Sequence, residues 1–451
     1  MDNRNDPIAT RLLKGIESNA LWWVLGVGIL ARLFAFVGLN PPGPTSEGVH
    51  GFQASIAQQI LDNGRLYYTL TDYDGFGAPL NRPPLYGTLL AGAVKLCGSH
   101  YWGSALIQMA LATSSLALTY ALTRMVFDER RIALVSGLIA ALYPYLVINT
   151  VATTDRLLQG FLLLAIVYLA IRCDRKQTYG FAVALGLTCG LEMLTRALMV
   201  LVLPMMLVWF CWPKEHRRKR IGLSGLVIAT AICIAAPWSI YSSHVTGRVQ
   251  LSHSRPGYML WAANNPEFEQ CAYPVITIDR CAADALSRLP SSTRSQIASL
   301  SDAGRDQLYK SLAVNYILSN PMATVSRGLG KLDAAFSPIY NPRINFDRVA
   351  DTSAIKQLLY TIPYSLVVVL AAIGCAATFR THGRFLLLVA LLFLAVAAFS
   401  GLFWAHSVEK LNVQVYLGIF AAPGILKLAR IWRSRHESKT VPAAEAHVEQ
   451  Y

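Results

Sequence analysis

Charge is scarce in this chain of 451 residues: Asp, Glu, Lys and Arg make up 15% of it, against 54% hydrophobic residues. Soluble domains carry about 25% charged residues, so an ordinary water-soluble fold is excluded, and a mean hydropathy of +0.40 agrees. Acid is scarcer than base, 26 residues against 40, which leaves a formal net charge of +14. Nucleic acid is excluded as the partner, because the basic residues are spread over short loops and do not share one face with interleaved aromatics. Cysteine is sparse too. Six of the 8, Cys97, Cys173, Cys189, Cys211, Cys233 and Cys375, lie in or beside apolar runs and act there as small apolar residues. No Cys or His pairs stand at structural-zinc spacing. Internal repeats and low-complexity linkers are missing. No small-residue cleavage pattern follows the first apolar run, which therefore reads as a retained span and not as a signal peptide.

What is present is a series of apolar runs long enough to cross a hydrocarbon core of about 30 Å. They fall at 20–38, 103–127, 132–150, 156–172, 178–194, 197–212, 221–242, 356–378, 385–405 and 412–429. The expected fold is an all-α polytopic membrane protein of about ten transmembrane helices. Basic residues collect at Arg11/Lys14, Arg130/Arg131, Arg172/Arg175/Lys176, Lys214 to Arg220, Arg380/Arg384 and Lys427 to Arg435. These are alternate loops if both termini are cytoplasmic, as positively charged short loops require. The expected organisation is a cytoplasmic stretch 1–19, a first span 20–38, an outer loop 39–102, a bundle 103–242, an outer segment 243–355 between the seventh and eighth spans, further spans 356–429, and a cytoplasmic tail 430–451.

The outer loop opens with Pro44-Thr45-Ser46-Glu47-Gly48-Val49-His50. Thr45 or Ser46 can cap a helix running to about Asp62, with Asn63-Gly64 as its stop. Val49, Phe52, Ile56 and Ile60 share an apolar stripe, and Glu47, His50, Gly51 and Ala54 lie opposite it. A carboxylate and an imidazole three residues apart can share a metal or a proton; alternatively Glu47 only favours the helix N-terminus and His50 is solvated. The apolar stretch Leu85–Val94, after Arg82-Pro83-Pro84, is too short to span and reads as an interfacial helix. In the second outer segment, helices are expected over Ser301–Leu318, which Asn320-Pro321 stops, and over Met322–Phe336.

Asp155 stands at the outer end of one span and the start of the next, where an Asp most often caps a helix. Arg196, in Leu194-Thr195-Arg196, breaks the positive-inside pattern. Its guanidinium suits a phosphate; the bland alternative is a snorkelling interfacial side chain. Cys271 and Cys281 lie in the large outer segment, and in an oxidising compartment they close a short loop by a disulfide, with two free thiols as the alternative.

Taken in order, these elements resemble the polyprenyl-phosphate-dependent glycosyltransferases of the GT-C fold, the broad family of protein O-mannosyltransferases and lipid A aminoarabinose transferases. The elements are Ser46-Glu47 opening a helix that ends at Gly64, Arg82-Pro83-Pro84-Leu85-Tyr86, Asp155, Thr195-Arg196, Pro237-Trp238, the Gly257 to Pro266 stretch, and Asn320-Pro321 with Lys331-Leu332. Many relatives have Asp-Glu where this chain has Ser46-Glu47, and Glu409-Lys410-Leu411-Asn412 replaces the usual Arg-Tyr-like closing element.

The resemblance implies a glycosyltransferase that moves a sugar, with inversion, from a polyprenyl-phosphate donor to a lipid, glycan or protein acceptor. It makes Glu47 the general base or acceptor-orienting group, assisted by Asp155. Arg82, Arg196 and Arg255, with Arg156 and Lys331, are the candidates to neutralise phosphate charge. His50 and His253 could complete a divalent-metal site with Glu47; no other cofactor is expected. The outer segments contain no Asn-x-Ser/Thr sequon, which fits a bacterial inner membrane with a periplasmic site. Two other classes are compatible with many spans: a secondary transporter, which would show repeats and midplane charges, and a non-catalytic carrier or flippase for lipid-linked sugars. Glu192 is the main charge that sits in a span.

Overall fold

In a computed structural model, residues 17–39, 49–71, 74–250, 255–267, 278–338, 354–403 and 410–440 are described. Nearly all of them are helical. The helices are α1 Ala20–Leu39, α2 Val49–Asn63, α3 Leu85–Cys97, α4 His100–Phe127, α5 Arg130–Leu142, α6 Pro144–Ile148, α7 Arg156–Lys176, α8 Tyr179–Met193, α9 Met199–Cys211 and α10 Arg217–Thr246. They continue as α11 Pro256–Ala263, α12 Ile278–Arg288, α13 Ser291–Ser299, α14 Asp302–Ser319, α15 Pro321–Phe336, α16 Ala354–Leu402 and α17 Leu411–Thr440. A short antiparallel hairpin, β1 Thr69–Thr71 with β2 Gly77–Pro79, pairs Leu70 with Ala78. The chain is an all-α multi-pass membrane protein.

The ten apolar runs all fall in helices, yet fewer helices qualify as spans by length and hydropathy. Six do among the described residues, or up to seven if the bent pair α5 and α6 is one span. Helices α8 and α9, of 15 and 13 residues, reach only about 22 and 20 Å at 1.5 Å per residue. Helix α16 hides two of the expected runs. Tyr364 donates to the carbonyl of Phe336, and Gly401 accepts from Lys331, so both ends of α16 meet α15. A straight helix would hold those positions about 55 Å apart. Arg384, between them, instead pairs with Asp174 at 3.0 Å. The run therefore folds back at His382, whose φ of −125° and ψ of 26° are not helical.

Sidedness follows from the same contacts. Arg220 and Arg384 share Asp174, Arg175 donates to the carbonyl of Met125, and Phe127 stacks near His382. The basic loops expected on one side thus converge at one end of the bundle. At the other end, the amide of Leu85 donates to Leu194, Tyr241 donates to Leu66, and Tyr68 stacks on Trp238 with ring centroids 6.4 Å apart. The outer loop and the tips of α8 and α10 share that end.

Two devices hold the spans. Small residues let α16 and α17 meet backbone to backbone: a Cβ on Gly374 would lie 1.8 Å from the carbonyl oxygen of Phe420. The break between α5 and α6 is served by a charge. Pro144 has no N–H to give the carbonyl of Ala140, and Arg32 in the middle of α1 supplies the donors. Its Nη1 reaches Ala141 O at 3.1 Å and Gly28 O at 3.0 Å, and its Nη2 reaches Ala140 O at 3.4 Å. An unsatisfied carbonyl in hydrocarbon costs several kcal/mol, which accounts for an arginine in an otherwise apolar span.

The outer helices match the sequence closely. Helix α2 stops at Gly64 with φ +59°, and Phe52, Ile56 and Ile60 of its stripe pack in one cluster with Tyr68, Leu70, Leu80 and Trp238. Ser301 caps α14, its hydroxyl accepting from the amide of Gly304 at 3.3 Å. A charge network, fully buried at Asp74 and Arg255 and slightly exposed at Arg248, Asp302 and Asp306, then ties α11 and α14 to the β-hairpin loop. Asp74 takes both terminal nitrogens of Arg255, one at 3.1 Å, while Arg248 pairs with Asp302 at 2.8 Å and Asp306 at 3.3 Å. Gly257 is required here, because a Cβ would lie 2.1 Å from the carbonyl oxygen of Asp306.

The network holds three carboxylates and two guanidiniums, and Asp306 carries the strain of that excess. Burial pushes its carboxyl above the ordinary range, although the Tyr258 amide, Arg248 and Arg255 pull the other way. A raised carboxyl pKa contributes stability below the unfolded value of about 3.9 and loses it as pH rises through the folded value. Asp306→Asn should therefore keep stability within about 1 kcal/mol at neutral pH, since its amide oxygen can still accept from Tyr258. Asp74→Asn should cost about 3 kcal/mol, because it removes the two-point partner of the fully buried Arg255 and leaves Asp302, 3.4 Å from its Nε, as the remaining carboxylate in the network. Thermal unfolding of the purified variants in detergent measures both.

Candidate active site

The corner where α3, α4, α7 and α8 meet at the outer end is built by the sequence elements singled out above. Arg82-Pro83-Pro84 leads into α3, and the Leu85 amide bond to Leu194 draws that start against the Thr195-Arg196 turn at 3.0 Å. Tyr86 accepts from Gln108, whose amide also donates to the carbonyl of Thr154 at 2.7 Å. Ser104 and Thr153 join their hydroxyls at 2.8 Å. These bonds fix the turn that carries Asp155 onto α3 and α4.

Asp155 is not a helix cap. It precedes α7 in right-handed backbone geometry, and its side chain makes no capping hydrogen bond. The carboxylate faces Arg196 instead, with Nε to Oδ2 at 3.1 Å and Nη2 to Oδ1 at 3.2 Å, a two-point pairing. Burial pushes the carboxyl up, but Arg196, then Arg156, the Arg196 hydrogen bonds and Arg82 outweigh it and hold the group below its ordinary range. Asp155 is thus a carboxylate at neutral pH, under the field of three guanidiniums. Glu192, fully buried in the last turn of α8, is close behind: Gln159 donates to its Oε1 at 3.3 Å, and its Oε2 has no partner among the described residues. Guanidiniums outnumber carboxyls here even with Glu192 counted.

Arg156 is 7% exposed and turns into a cleft between spans. The cleft is small, with about 40 Å³ open to the centre of a water molecule, and it is partly continuous with the exterior. Its walls are mostly apolar, with Leu116, Leu157, Phe161, Leu164 and Val415 among them, and Arg32 lies in the wall as well.

The other expected residues are placed elsewhere or fall outside the described residues. Arg255 is completely buried in the Asp74 network, stacked 4.8 Å over Tyr258. Lys331 is 1% exposed, donating to Ala263 O at 2.9 Å and Gly401 O at 3.3 Å; burial and, second, Arg327 lower its pKa to about 7. Both hold the outer segment together. Glu47, Ser46, His253 and Cys271 lie outside the described residues, as do the side chains of His50 and Cys281, so the carboxylate and imidazole pair, the metal set and the disulfide have no geometry here. Among the described residues, no three His, Cys, Asp or Glu side chains are grouped to hold a metal.

Sequence reasoning missed Arg32 and Asp74, and took Lys410 only as part of the segment that replaces the closing element. Lys410 is 1% exposed, donates to Tyr360 OH at 2.8 Å and lies 4.7 Å over the Tyr364 ring. A charge inside an apolar run was the available signal for Arg32. Asp74 gave none, because its partner Arg255 is far away in the chain.

Residues 81–241, which include this whole corner, match the dolichyl-phosphate-mannose-protein mannosyltransferase family. Among solved structures, the chain is similar to the oligosaccharyltransferase AglB of the archaeon Archaeoglobus fulgidus in complex with an inhibitory peptide and a dolichol-phosphate. That match has 12% identity and a TM-score of 0.56, and covers 92% of this chain and 52% of that one. The apo form of the same organism's oligosaccharyltransferase gives 12% identity, coverages of 93% and 52%, and a TM-score of 0.54. The chain has the GT-C glycosyltransferase fold. It spans about half the length of those oligosaccharyltransferases. ArnT of Cupriavidus metallidurans, apo, is also similar, at 14% identity, coverages of 89% and 76%, and a TM-score of 0.41. No curated protein matches the chain. In this GT-C chain, the Asp155–Arg196 pair lies within the family-matched stretch.

Breaking the pair should be measurable. The folded pKa of Asp155 is below that of the unfolded chain, so the pair adds stability above about pH 3.9 and loses it as pH falls through the folded value. Asp155→Asn should cost about 2 kcal/mol at neutral pH, discounted from the fully buried case because the two side chains retain some exposure. It should also remove the corresponding part of the acid-side loss. Unfolding curves from pH 3 to pH 7, compared with wild type, check both statements.

Proposed function

We propose that the protein transfers a sugar from a polyprenyl-phosphate donor to a hydroxyl of a lipid, glycan or protein acceptor. The reading is carried by one observation: Arg82, Arg156 and Arg196 surround a single ionised carboxylate at the outer boundary of a GT-C bundle, beside an apolar cleft. It is supported by the match of residues 81–241 to a family named for dolichyl-phosphate-mannose transfer and by the dolichol-phosphate in the AglB complex.

The chemistry asks for two things at this corner. The bond from the anomeric carbon to the phosphate oxygen breaks, so negative charge grows on the phosphate, and cations held in a dry setting stabilise that charge most. Arg196 is braced by Asp155 and Arg82 by its stacking 5.6 Å over Phe52, so neither guanidinium has to be ordered when substrate arrives. The acceptor hydroxyl loses its proton as it attacks from the opposite face, which inverts the centre. Glu47, at the start of the amphipathic helix, is our choice for the base, with Asp155 keeping the cations in place. Arg255 and Lys331 contribute to the shape of the outer segment and not to phosphate binding. The basic-loop distribution supports cytoplasmic termini with the site on the opposite face, and the lack of a sequon in the outer segments fits a bacterial inner membrane with a periplasmic site.

A transfer assay with purified protein and a panel of polyprenyl-phosphate sugars tests the reading. Glu47→Gln should lower kcat by at least about 100-fold, as loss of a general base does. Arg196→Gln should raise KM as well as lower kcat. Full activity in Glu47→Gln would remove Glu47 as base. Movement of the lipid-linked sugar across vesicles with no transfer would favour a carrier.

A further inference from the structure

One buried acid beside the corner has no part in the transfer step. Glu192, in the last turn of α8, is fully buried, and its Oε1 accepts from Gln159 Nε2 at 3.3 Å. The other oxygens of the same two groups, Glu192 Oε2 and Gln159 Oε1, are buried with no hydrogen-bond partner among the described residues. Both are acceptors, and flipping the amide only exchanges which oxygens are left over. A single proton on Glu192 would satisfy the pair. A carboxylate is disfavoured here for three separate reasons: it would be out of water, it would sit at the negative end of the α8 dipole, and ionised Asp155 stands one turn of α7 before Gln159. The nearest cation, Arg196, is committed to Asp155 through both Nε and Nη2. Cys189, three residues earlier on α8, is a buried thiol, and α10 meets this end of α8 with Ala231 and Ile234 against Gly190.

Position gives this acid a task. Asp155 and Gln159 are four residues apart on α7 and share a face, and Glu192 and Arg196 are four apart at the tip of α8. Asp155–Arg196 and Gln159–Glu192 are therefore two rungs between the same two elements. The Glu192 carbonyl also accepts from the amides of Thr195 at 2.9 Å and Arg196 at 2.8 Å, so the Arg196 turn hangs on Glu192 through main chain and side chain. We propose that Glu192 is a positioning residue of the donor site that works as a neutral acid: its proton closes a cyclic pair with Gln159 and sets the Arg196 turn without adding a negative charge. The inference rests on the proposed glycosyl transfer, in which the corner meets an anionic phosphodiester. Three guanidiniums around one carboxylate give the corner a net positive charge. An ionised Glu192 would take away part of that charge and would offer Arg196 a second carboxylate; a neutral one braces the turn and leaves the field intact.

Infrared difference spectra of the full-length protein in nanodiscs, wild type minus Glu192→Gln near neutral pH, read the proton directly. The subtraction should show the carbonyl band of a protonated carboxylic acid; the paired stretches of a carboxylate in its place overturn the inference. Binding reads the positioning. The probe is the methyl phosphodiester of undecaprenol, which has the donor's single charge whatever the sugar. Glu192→Leu removes both side-chain bonds and orphans the Gln159 amide, so it should weaken the Kd about tenfold. Glu192→Gln can rebuild the cyclic pair from two amides and should restore the Kd to within about twofold of wild type. Equal loss in both variants overturns the neutral acid, since a carboxylate would then be required, and an unchanged Kd in Glu192→Leu overturns the positioning. If the Leu variant does not fold, the infrared spectrum and the Gln variant still decide. If wild type does not bind the probe at all, the polyprenyl-phosphate reading of the corner fails and takes the donor-site role with it; normal binding with a carboxylate band at Glu192 overturns this inference alone.

Discussion

The outer corner of this protein depends on the pairing of Asp155 with Arg196 across the tips of two helices. In water such a pair is worth little, but here both groups are largely removed from solvent, and each would be expensive alone. The pair also decides geometry. It turns Arg196 toward α7 at the level where Arg82 arrives from the loop and Arg156 turns inward to the cleft, so three cations collect around one anion. That arrangement tolerates, and electrostatically favours, a further negative group, and a phosphate at the membrane boundary is the group a GT-C scaffold with an apolar cleft would present.

Positioning at this corner is inherited from polar contacts that look incidental in the sequence. The Leu85 to Leu194 backbone bond, the Gln108 bridge from Tyr86 to Thr154 and the Ser104–Thr153 contact are each ordinary. Together they leave the Asp155 turn with one place to be. The outer segment is secured separately, by Arg255 in the Asp74 network and by Lys331 on two carbonyls. Those charges tie elements of the outer segment together; the charges at Asp155 form the proposed site.

Much of this was legible in the residues themselves. Hydropathy gave the class and the basic loops gathered at one end of the bundle, Gly64 and Ser301 marked helix ends, and the order of Arg82, Asp155 and Thr195-Arg196 pointed to the corner. Legibility failed where the cause was long-range. Composition cannot show that Asp155 serves an arginine and not its own helix, since both roles place an Asp before α7. Arg255 and Lys331 carry the right charge for phosphate, and only the structure shows that both are buried against partners distant in the chain. Hydropathy alone does not settle the number of spans for a similar reason: an apolar run records burial as readily as passage through a bilayer, and α8 and α9 are apolar yet short.

The central claim is that the donor phosphate is held by the cations around Asp155. A cryo-electron microscopy structure with a non-transferable polyprenyl-phosphate sugar tests it most directly. The account predicts phosphate density within hydrogen-bonding distance of Arg196 and at least one of Arg82 and Arg156, with the tail entering the neighbouring cleft. Density for the phosphate at Lys331 or Arg255, with the Asp155 corner empty, would contradict it.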